Sequence, residues 1–491
     1  RMASLPQPAV GLWSPDGRRF FSHRLDERTL DTNYLLQTVP PGGGVKPVLH
    51  TYRQQFAGDA ETACWKPLVI DIADGAITWA SIDPVAVNDH TPVEWLRAWW
   101  SADSETVWFV TTSRDKTLIT LHRLTAATGA VATLWEQRAD SYQMLTAGTP
   151  RIGNEGRPNV RFLEGLGRFI WYDDSGATGR LFLHDLATGR RLAPITPDGM
   201  LVRDILKVDM TGGLLWFSAS GDLPGQDPYY RHVYRVGLDG TGLTLLTPED
   251  AEHNVHVPSP VIPPGHAPAQ EEARGLSPDG RFMVDTVGRI DGPPVSLLRD
   301  AATGAVLMEV ERADVSDLLA LGWRWPEPFT AKAADGTTDL YGATWRPSWS
   351  DGSERLPVIT MVYPGPQITL VPKTSFKANL RESLGNIFCQ QLAELGFVVV
   401  AVDPRGTARR DRAFRLHSYG NLGGTHQHED YIAVLRQLAE RAPDMDLERV
   451  GIQGHSGGGY STARAMLTFP DFFKVGVASA GNHDIRGVLA M

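Results

Sequence analysis

The chain has 491 residues, too many for one hydrophobic core and enough for two or three domains. Its net charge of −10 disfavours nucleic acid or an anionic membrane surface as a partner, and no apolar run approaches the ~18 residues of a membrane span. Two cysteines, Cys64 and Cys389, are too few for a disulfide framework and do not indicate a compartment.

The first 325 residues or so repeat one pattern, in which two short strands of alternating apolar and polar residues flank a glycine turn. The turn glycines are Gly75, Gly129, Gly189, Gly240 and Gly304, which lie 54, 60, 51 and 64 residues apart. Alternation around a glycine turn is typical of a β-hairpin, and one hairpin per repeat of this length suits four-stranded propeller blades. A second turn per blade is predicted at SPDG (14–17 and 277–280) and SADS (101–104).

We therefore predict a β-propeller over residues 1–325. A β-sandwich with coincidental spacing is the alternative.

The pattern changes near residues 325–335, after which apolar strands alternate with helices. The predicted elements are, in chain order, the strand PVITMVYPG, a helix over 376–396, the strand FVVVAVD at 397–403, a helix over 429–441, the strand RVGIQG at 449–454 and a helix after Ser456. Such alternation indicates a mostly parallel sheet covered on both faces. Residues 326–491 are therefore predicted to form an α/β domain.

The stretch GIQGHSGGGY (451–460) places Ser456 between Gly454 and Gly458, where a predicted strand meets a predicted helix. In that context G-x-S-x-G indicates the nucleophile elbow of an α/β-hydrolase. The serine occupies a strained turn, small neighbours let chain segments approach, and the helix N-terminus faces an anionic intermediate. A phosphate-binding loop would also place glycines between strand and helix, but the lysine it needs is absent.

With these motifs, the sequence resembles the dipeptidyl-peptidase IV branch of the prolyl oligopeptidase family of serine peptidases over essentially its whole length. The residues that carry the resemblance are VYPGPQ (362–367), FVVVAVDPRGT (397–407), YGNLGGTHQHEDY (419–431), GIQGHSGGGY, FPDFFKVGVASAGNHD (469–484), AWWSADS (98–104), YRHVYRVGLDG (230–240) and LSPDGRFMVDT (276–286). The resemblance implies a propeller followed by an α/β-hydrolase domain. It also implies Ser456 as the nucleophile, with the backbone N–H of Gly457 and the hydroxyl of Tyr363 as oxyanion donors.

The rest of the catalytic triad is not found in this sequence. A serine needs an imidazole base and a carboxylate that orients it; in this family they follow the serine by many tens of residues, and only 35 residues follow Ser456. His455 is a poor base because it adjoins the serine, and His483 and Asp484 do not match triad positions. We expect the catalytic Asp and His in a continuation of the polypeptide that this chain lacks. The first part of the propeller is expected to be missing as well.

A cluster of His426, His428, Glu429 and Asp430 could suggest a metal site. The resemblance places an acidic residue at this junction of loop and helix, so helix capping by Asp430 is expected instead. We predict no metal and no other cofactor.

The resemblance also implies where substrate binds. Dipeptidyl peptidases hold the free amine with an acidic pair ten and nine residues before a double tryptophan; counting back from Trp99 gives Asp89 and His90, with Glu94 nearby. A carboxylate in a partly desolvated cavity suits an ammonium group. The positions that match the pocket for the residue before the cleaved bond are Gly457, Asn482, Ile485 and Val488. They lack the aromatic wall of proline-cutting members, so no proline preference is predicted.

The function predicted is that of a serine peptidase that hydrolyses short peptides or N-terminal dipeptides through an acyl-enzyme on Ser456. Two alternatives remain: an acylaminoacyl-peptidase-like or esterase hydrolase, which would not need Asp89, and a catalytically incomplete propeller binding protein. The expected partners are a peptide substrate and either a second copy of the chain or a missing C-terminal segment. A periplasmic or secreted location is favoured, although no signal peptide opens the sequence.

Overall fold

A computed structural model describes residues 10–40, 42–56, 58–87, 91–93, 96–147, 158–255, 275–376 and 380–484. Up to residue 312 the described secondary structure is almost entirely β. The strands β1 to β23 are, in chain order, Leu12–Trp13, Arg19–Asp26, Thr32–Gln37, Val48–Arg53, Cys64–Asp71, Ile77–Trp79, Val85–Ala86, Ala98–Trp100, Thr106–Thr112, Leu118–Thr125, Val131–Arg138, Arg161–Leu163, Arg168–Asp173, Arg180–Asp185, Arg191–Pro194, Leu201–Asp209, Leu214–Ser220, His232–Gly237, Thr244–Leu245, Glu252–Asn254, Phe282–Gly288, Val295–Asp300 and Val306–Arg312.

These strands form five successive antiparallel sheets, the blades of a propeller. The first contains β1, β2, β5 and β6 with β7 beside β5, and the others are β8–β11, β12–β15, β16–β19 and β20–β23. The remaining strands, β3 and β4, pair as a separate hairpin. Four hydrophobic clusters fill the spaces between neighbouring blades; in one of them Trp108 stacks on Phe162 of the next blade, with ring centroids 4.1 Å apart. The propeller prediction is confirmed, and the sandwich alternative is wrong.

Each predicted turn glycine joins the third and fourth main strands of its blade and has a positive φ, between 74° and 83°. The structure adds a second reason for glycine, because in the second to fifth blades the turn packs against the preceding blade. A Cβ atom on Gly129 would lie 2.1 Å from the carbonyl oxygen of Trp79, and one on Gly189 would lie 1.6 Å from that of Leu134. The glycine repeat therefore marks contacts between blades as well as turns.

The second predicted turn is also confirmed. SPDG and SADS precede the second strand of a blade, and the serine hydroxyl donates to the aspartate two residues on, at 2.7 Å in the pair Ser14–Asp16 and 2.6 Å in the pair Ser277–Asp279.

The C-terminal part is built on one six-stranded sheet. Its strands β24 to β29 are Glu327–Lys332, Asp339–Trp345, Leu356–Met361, Val398–Val402, Met445–His455 and Phe473–Ser479. The helices α1 to α5 are Ser316–Ala320, Leu380–Glu394, Arg412–Leu416, His426–Arg441 and Gly457–Thr468. The strand order is β24-β25-β27-β26-β28-β29, in which β24, β25 and β27 pair antiparallel and the other neighbours pair parallel. The mostly parallel sheet is therefore confirmed.

Helix α4 begins at His426, three residues before the predicted start. The prediction began too late because the first turn of the helix is polar and does not show the apolar periodicity from which a helix is recognised.

Both faces of this sheet are covered, as predicted, because successive side chains of β27 belong to two different hydrophobic cores. Val398, Val400 and Val402 belong to the core formed with α4 and α5, whereas Val399 and Ala401 belong to the core that contains α2.

The carboxyl ends of parallel strands share one edge of the sheet. Tyr363 after β26, Asp403 after β27 and Ser456 after β28 therefore lie along the same edge.

Two arginines of α3 fix the α/β part to the propeller. Arg415 Nη2 lies 2.8 Å from Asp174 Oδ1, and Arg412 Nη1 donates to the Asp174 carbonyl oxygen at 2.8 Å. Asp174 is fully buried, and burial raises the pKa of its carboxyl group, while Arg415 opposes that rise. Because α3 follows β27, this ion pair connects the segment after β27 to the propeller loop that contains Asp174.

Candidate active site

Ser456 occupies a strained turn between β28 and α5. Its backbone has φ 59° and ψ −118°, a conformation that residues with a side chain rarely adopt. The turn is held by the Ser456 N–H, which donates to the Ser479 carbonyl at 2.8 Å, and by the Tyr460 N–H, which donates to the Ser456 carbonyl at 3.1 Å. Ser456 is half-buried at the start of the helix. This is the geometry expected of a nucleophile elbow.

Three glycines around Ser456 permit close backbone approach. A Cβ atom on Gly454 would lie 2.4 Å from the carbonyl carbon of Gly458. One on Gly458 would lie 2.3 Å from the Val362 carbonyl oxygen, and one on Gly459 would lie 2.5 Å from the Ser479 carbonyl oxygen. The glycine run therefore lets the first turn of α5 sit directly against the ends of β26, β28 and β29.

The two expected oxyanion donors are neighbours. The Tyr363 ring packs beside Gly457, where its hydroxyl oxygen is 3.6 Å from the position that a Cβ atom on Gly457 would take. The Gly457 N–H belongs to the first turn of α5, whose amides have no partner within the helix. Tyr363 is half-buried. A phenol and a backbone amide at the start of a helix, both beside a serine, are suited to stabilise negative charge on a tetrahedral intermediate.

No histidine of the described residues hydrogen-bonds to Ser456. The Nδ1 atom of exposed His455 lies 3.0 Å from Ser479 Oγ. His428 is buried and bonds through Nε2 to Ser461 Oγ at 2.9 Å; burial lowers its pKa to about 4. His483 is exposed. The base that would activate Ser456 is therefore not among these side chains.

The predicted capping role of Asp430 is wrong. Asp430 lies inside α4, fully buried, and its carboxylate accepts from the Ala334 N–H at 2.9 Å and from Arg405 Nη2 at 2.8 Å. The residue at the helix start is Thr425, whose side chain donates to Glu429 at 2.9 Å instead of capping a backbone amide. Asp430 instead ties α4 to the loops after β24 and β27. Within the described ranges no group of three or more His, Cys, Asp or Glu residues could hold a metal ion.

Only some of the residues predicted to bind substrate lie within the described ranges. Asn482 is exposed in the segment after β29. Asp89, His90, Glu94, Ile485 and Val488 lie outside the described residues.

Sequence reasoning missed Asp403, a fully buried carboxylate at the end of β27. It accepts from the Leu370 N–H at 2.6 Å and the Val371 N–H at 3.3 Å, and burial raises its pKa to about 6. The signal was available, because an acidic residue directly follows an apolar strand at the edge that carries the serine.

Two family models match the chain. The model of the dipeptidyl peptidase IV N-terminal region matches residues 7–261, and that of the prolyl oligopeptidase family matches residues 387–490. The chain belongs to the dipeptidyl peptidase IV branch of the prolyl oligopeptidase family. This family membership agrees with a propeller followed by an α/β sheet that carries the serine elbow.

Named members of the family are similar to this chain. Dipeptidyl peptidase 8 of Homo sapiens is 35% identical over 155 residues, 32% of this chain and 16% of that protein. "Probable dipeptidyl-aminopeptidase B" of Emericella nidulans is 30% identical over 280 residues, 57% of this chain and 28% of that protein. The crystal structure of Porphyromonas gingivalis dipeptidyl peptidase 4 matches the fold with a TM-score of 0.73 at 20% identity, over 98% of this chain and 61% of that one.

This chain thus spans less than a third of the two curated relatives, and less than two thirds of the P. gingivalis peptidase chain. Among the helices that are described, none is long and apolar enough to cross a membrane.

Proposed function

We propose that this protein is a serine peptidase of the dipeptidyl peptidase IV type, with Ser456 as its nucleophile. The observation that carries the proposal is the strained, half-buried Ser456 at the start of α5 with Tyr363 packed beside Gly457. Ser456 Oγ attacks the scissile carbonyl carbon, and the carbonyl oxygen becomes an oxyanion that accepts from the Gly457 N–H and the Tyr363 hydroxyl. Collapse of this intermediate expels the amine and leaves an acyl-enzyme, which water hydrolyses.

The reaction also needs a base that takes the Ser456 proton and gives it to the leaving amine, and a carboxylate that orients this base. Since no described histidine bonds to Ser456, the expectation that this Asp and His belong to a continuation of the polypeptide stays a prediction.

A fluorophosphonate tests the nucleophile, because it labels a serine only when the serine is activated. Intact mass is compared before and after treatment for the polypeptide that includes its expected continuation, as the wild type, Ser456→Ala and Ser461→Ala. Ser461 is a matched control, since it lies on the same helix but is buried against His428. We expect one adduct on the wild type and on Ser461→Ala, and none on Ser456→Ala. A wild type that takes no adduct, or an adduct that survives Ser456→Ala, would contradict the proposal.

We extend the proposal to the release of N-terminal dipeptides, with Asp89 and Glu94 holding the substrate amine and Asn482 beside the residue before the cleaved bond. A carboxylate attracts an ammonium group but not an N-acylated terminus. A dipeptide anilide with a free amine is therefore expected to be cleaved faster than its N-acetyl form, and Asp89→Asn is expected to raise KM for the free amine alone. Equal turnover of the two substrates would favour an esterase or acylaminoacyl-peptidase-like activity.

The organisation of the protein is proposed along the same lines. Residues 1–325 form the propeller domain and 326–491 the catalytic domain, and the protein acts as a homodimer in the periplasm or outside the cell. Sedimentation and cell fractionation test the last two statements. A monomer, or recovery in the cytoplasm, would contradict them.

A further inference from the structure

The segment that follows Tyr363 (residues 364–376, here the Tyr363 loop) is anchored to the α/β sheet. Asp403 accepts from two consecutive amides of the loop, those of Leu370 and Val371. Because Asp403 ends β27, which pairs with β26, this contact fixes the loop beside the strand from which Tyr363 emerges. Any displacement of the loop must therefore disturb either this anchor or the short connection back to Tyr363.

The same loop is anchored to the propeller a few residues later. Lys373 Nζ lies 2.7 Å from Asp227 Oδ2 in the fourth blade. Ser375 Oγ donates to the Arg289 carbonyl at 2.9 Å and also bonds to the Gly292 carbonyl, both in the fifth blade. Residues 371–375 are buried between the two parts of the molecule. The loop is thus a buried connection from two blades to the oxyanion tyrosine.

The ion pair between Lys373 and Asp227 is well shielded from water. The Lys373 side chain is 9% exposed and the Asp227 side chain 18%. The ammonium also lies 4.4 Å from the centroid of the Tyr229 ring, within range of a cation–π attraction. Removal of Asp227 leaves the buried ammonium without its hydrogen-bonded partner and with Asp403 as another acidic group that interacts with it, so the loop is constrained by the presence of Asp227.

We propose that Lys373 is a positioning residue that couples the placement of the Tyr363 hydroxyl to the propeller through its ion pair with Asp227. This role rests on the proposed function in so far as Tyr363 is an oxyanion donor. A donor must lie within a few tenths of an ångström of its productive position, and small displacements are costly to the rate. A change in the fourth blade that contacts no reacting atom should therefore alter the reactivity of Ser456.

The test variant is Asp227→Asn, which changes the propeller alone. Asn retains the oxygen that accepts from the Tyr229 N–H at 2.9 Å, and loses the carboxylate that pairs with Lys373. The matched control is Glu309→Gln, which breaks an ion pair with Arg312 inside the fifth blade. Asp227→Glu serves as the conservative variant. Two readouts are taken for each protein: hydrogen exchange of peptides that cover 364–376, and the rate of labelling by a fluorophosphonate.

We expect Asp227→Asn to speed hydrogen exchange in the Tyr363 loop and to slow labelling about tenfold. Glu309→Gln should change neither quantity, and Asp227→Glu should restore part of both. In a Tyr363→Phe background, which itself slows labelling about a hundredfold, Asp227→Asn should cause no further loss. Such non-additivity distinguishes positioning of Tyr363 from a general loss of structure.

The proposal is overturned if exchange in the loop does not change in Asp227→Asn, or if labelling slows equally with and without the Tyr363 hydroxyl. A different result would contradict the proposed function. A wild type that is never labelled removes the catalytic role of Tyr363, while the exchange data still decide whether the propeller holds the loop.

Discussion

Gly458 lies so close to Val362 that a Cβ atom on Gly458 would be 2.3 Å from the Val362 carbonyl oxygen. At Gly457, one residue earlier, the nearest atoms to a Cβ atom would be those of the Tyr363 side chain, at 3.4 Å and beyond. We therefore expect Gly458→Ala to lower the free energy of unfolding by about 2 kcal/mol and to abolish labelling of Ser456. Gly457→Ala should cost less than about 1 kcal/mol and remain reactive. Urea denaturation and mass spectrometry measure both, and equal stability of the two variants would contradict this packing.

The strained backbone of Ser456 predicts an unusual order of stability among its variants. At φ 59° and ψ −118° an alanine keeps the strain, whereas a glycine does not. Ser456→Gly should therefore be more stable to urea than Ser456→Ala by about 1 kcal/mol, even though glycine normally destabilises a folded chain. Ser461→Gly against Ser461→Ala, inside the helix, should show the reverse order. If both pairs give the same order, the backbone at Ser456 is not strained.

The features of this fold that could be predicted from the sequence are those specified by residues close together in the chain. The Gly189 turn and the Ser456 elbow are specified by residues within a few positions of each other, so spacing and residue type were sufficient. The position of Tyr363 followed from resemblance alone. No local pattern places the end of β26 beside the start of α5.

Contacts between distant segments were not predictable in this way. Asp430 was assigned to a helix cap because the resemblance places an acidic residue where a loop meets a helix, yet its partners Ala334 and Arg405 lie 96 and 25 residues away. The same applies to Lys373 and Asp227, which are 146 residues apart. An unpartnered charge in the sequence indicates that a partner is needed but does not identify it.

The buried Asp403 predicts a pH dependence of stability with a definite sign. Burial raises its pKa to about 6, compared with about 4 in an unfolded chain, so the folded state binds this proton more tightly. The stabilisation from the proton is complete below about pH 4 and is lost as the pH rises through about 6. Asp403→Asn mimics the protonated acid. Its stability relative to the wild type should therefore rise by up to roughly 3 kcal/mol between pH 4 and pH 8.

Urea denaturation across this pH range measures the effect. The control is Asp351→Asn, at an exposed turn where hydrogen bonds from Ser353 lower the pKa of Asp351. Its difference from the wild type should stay nearly constant over this range, because a carboxyl with a lowered pKa changes stability only below about pH 4. A flat difference for Asp403→Asn would mean that Asp403 is ionised in the folded protein throughout.

The contact between blades at Gly189 predicts that its replacement costs more than the turn conformation explains. Gly189 and Gly280 have similar φ values, 75° and 70°. A Cβ atom on Gly189 would overlap the Leu134 carbonyl at 1.6 Å, while one on Gly280 would have no contact closer than 3.6 Å. Gly280→Ala should cost about 1 kcal/mol, and Gly189→Ala at least about 2 kcal/mol more. Similar losses in urea denaturation would show that neighbouring blades separate easily.

The ion pair between Arg415 and Asp174 predicts strong coupling between the two parts of the molecule. Both side chains are almost completely buried, at 6% and 1% exposure. Arg415→Met leaves a buried carboxylate without its partner and should cost about 3 kcal/mol. The double variant Arg415→Met, Asp174→Leu removes both charges and should recover most of that loss. The recovery, measured as a coupling free energy from urea denaturation of the four proteins, should exceed about 1 kcal/mol. If the losses simply add, Arg415 contributes through packing alone and the charge pair does not hold α3 against the propeller.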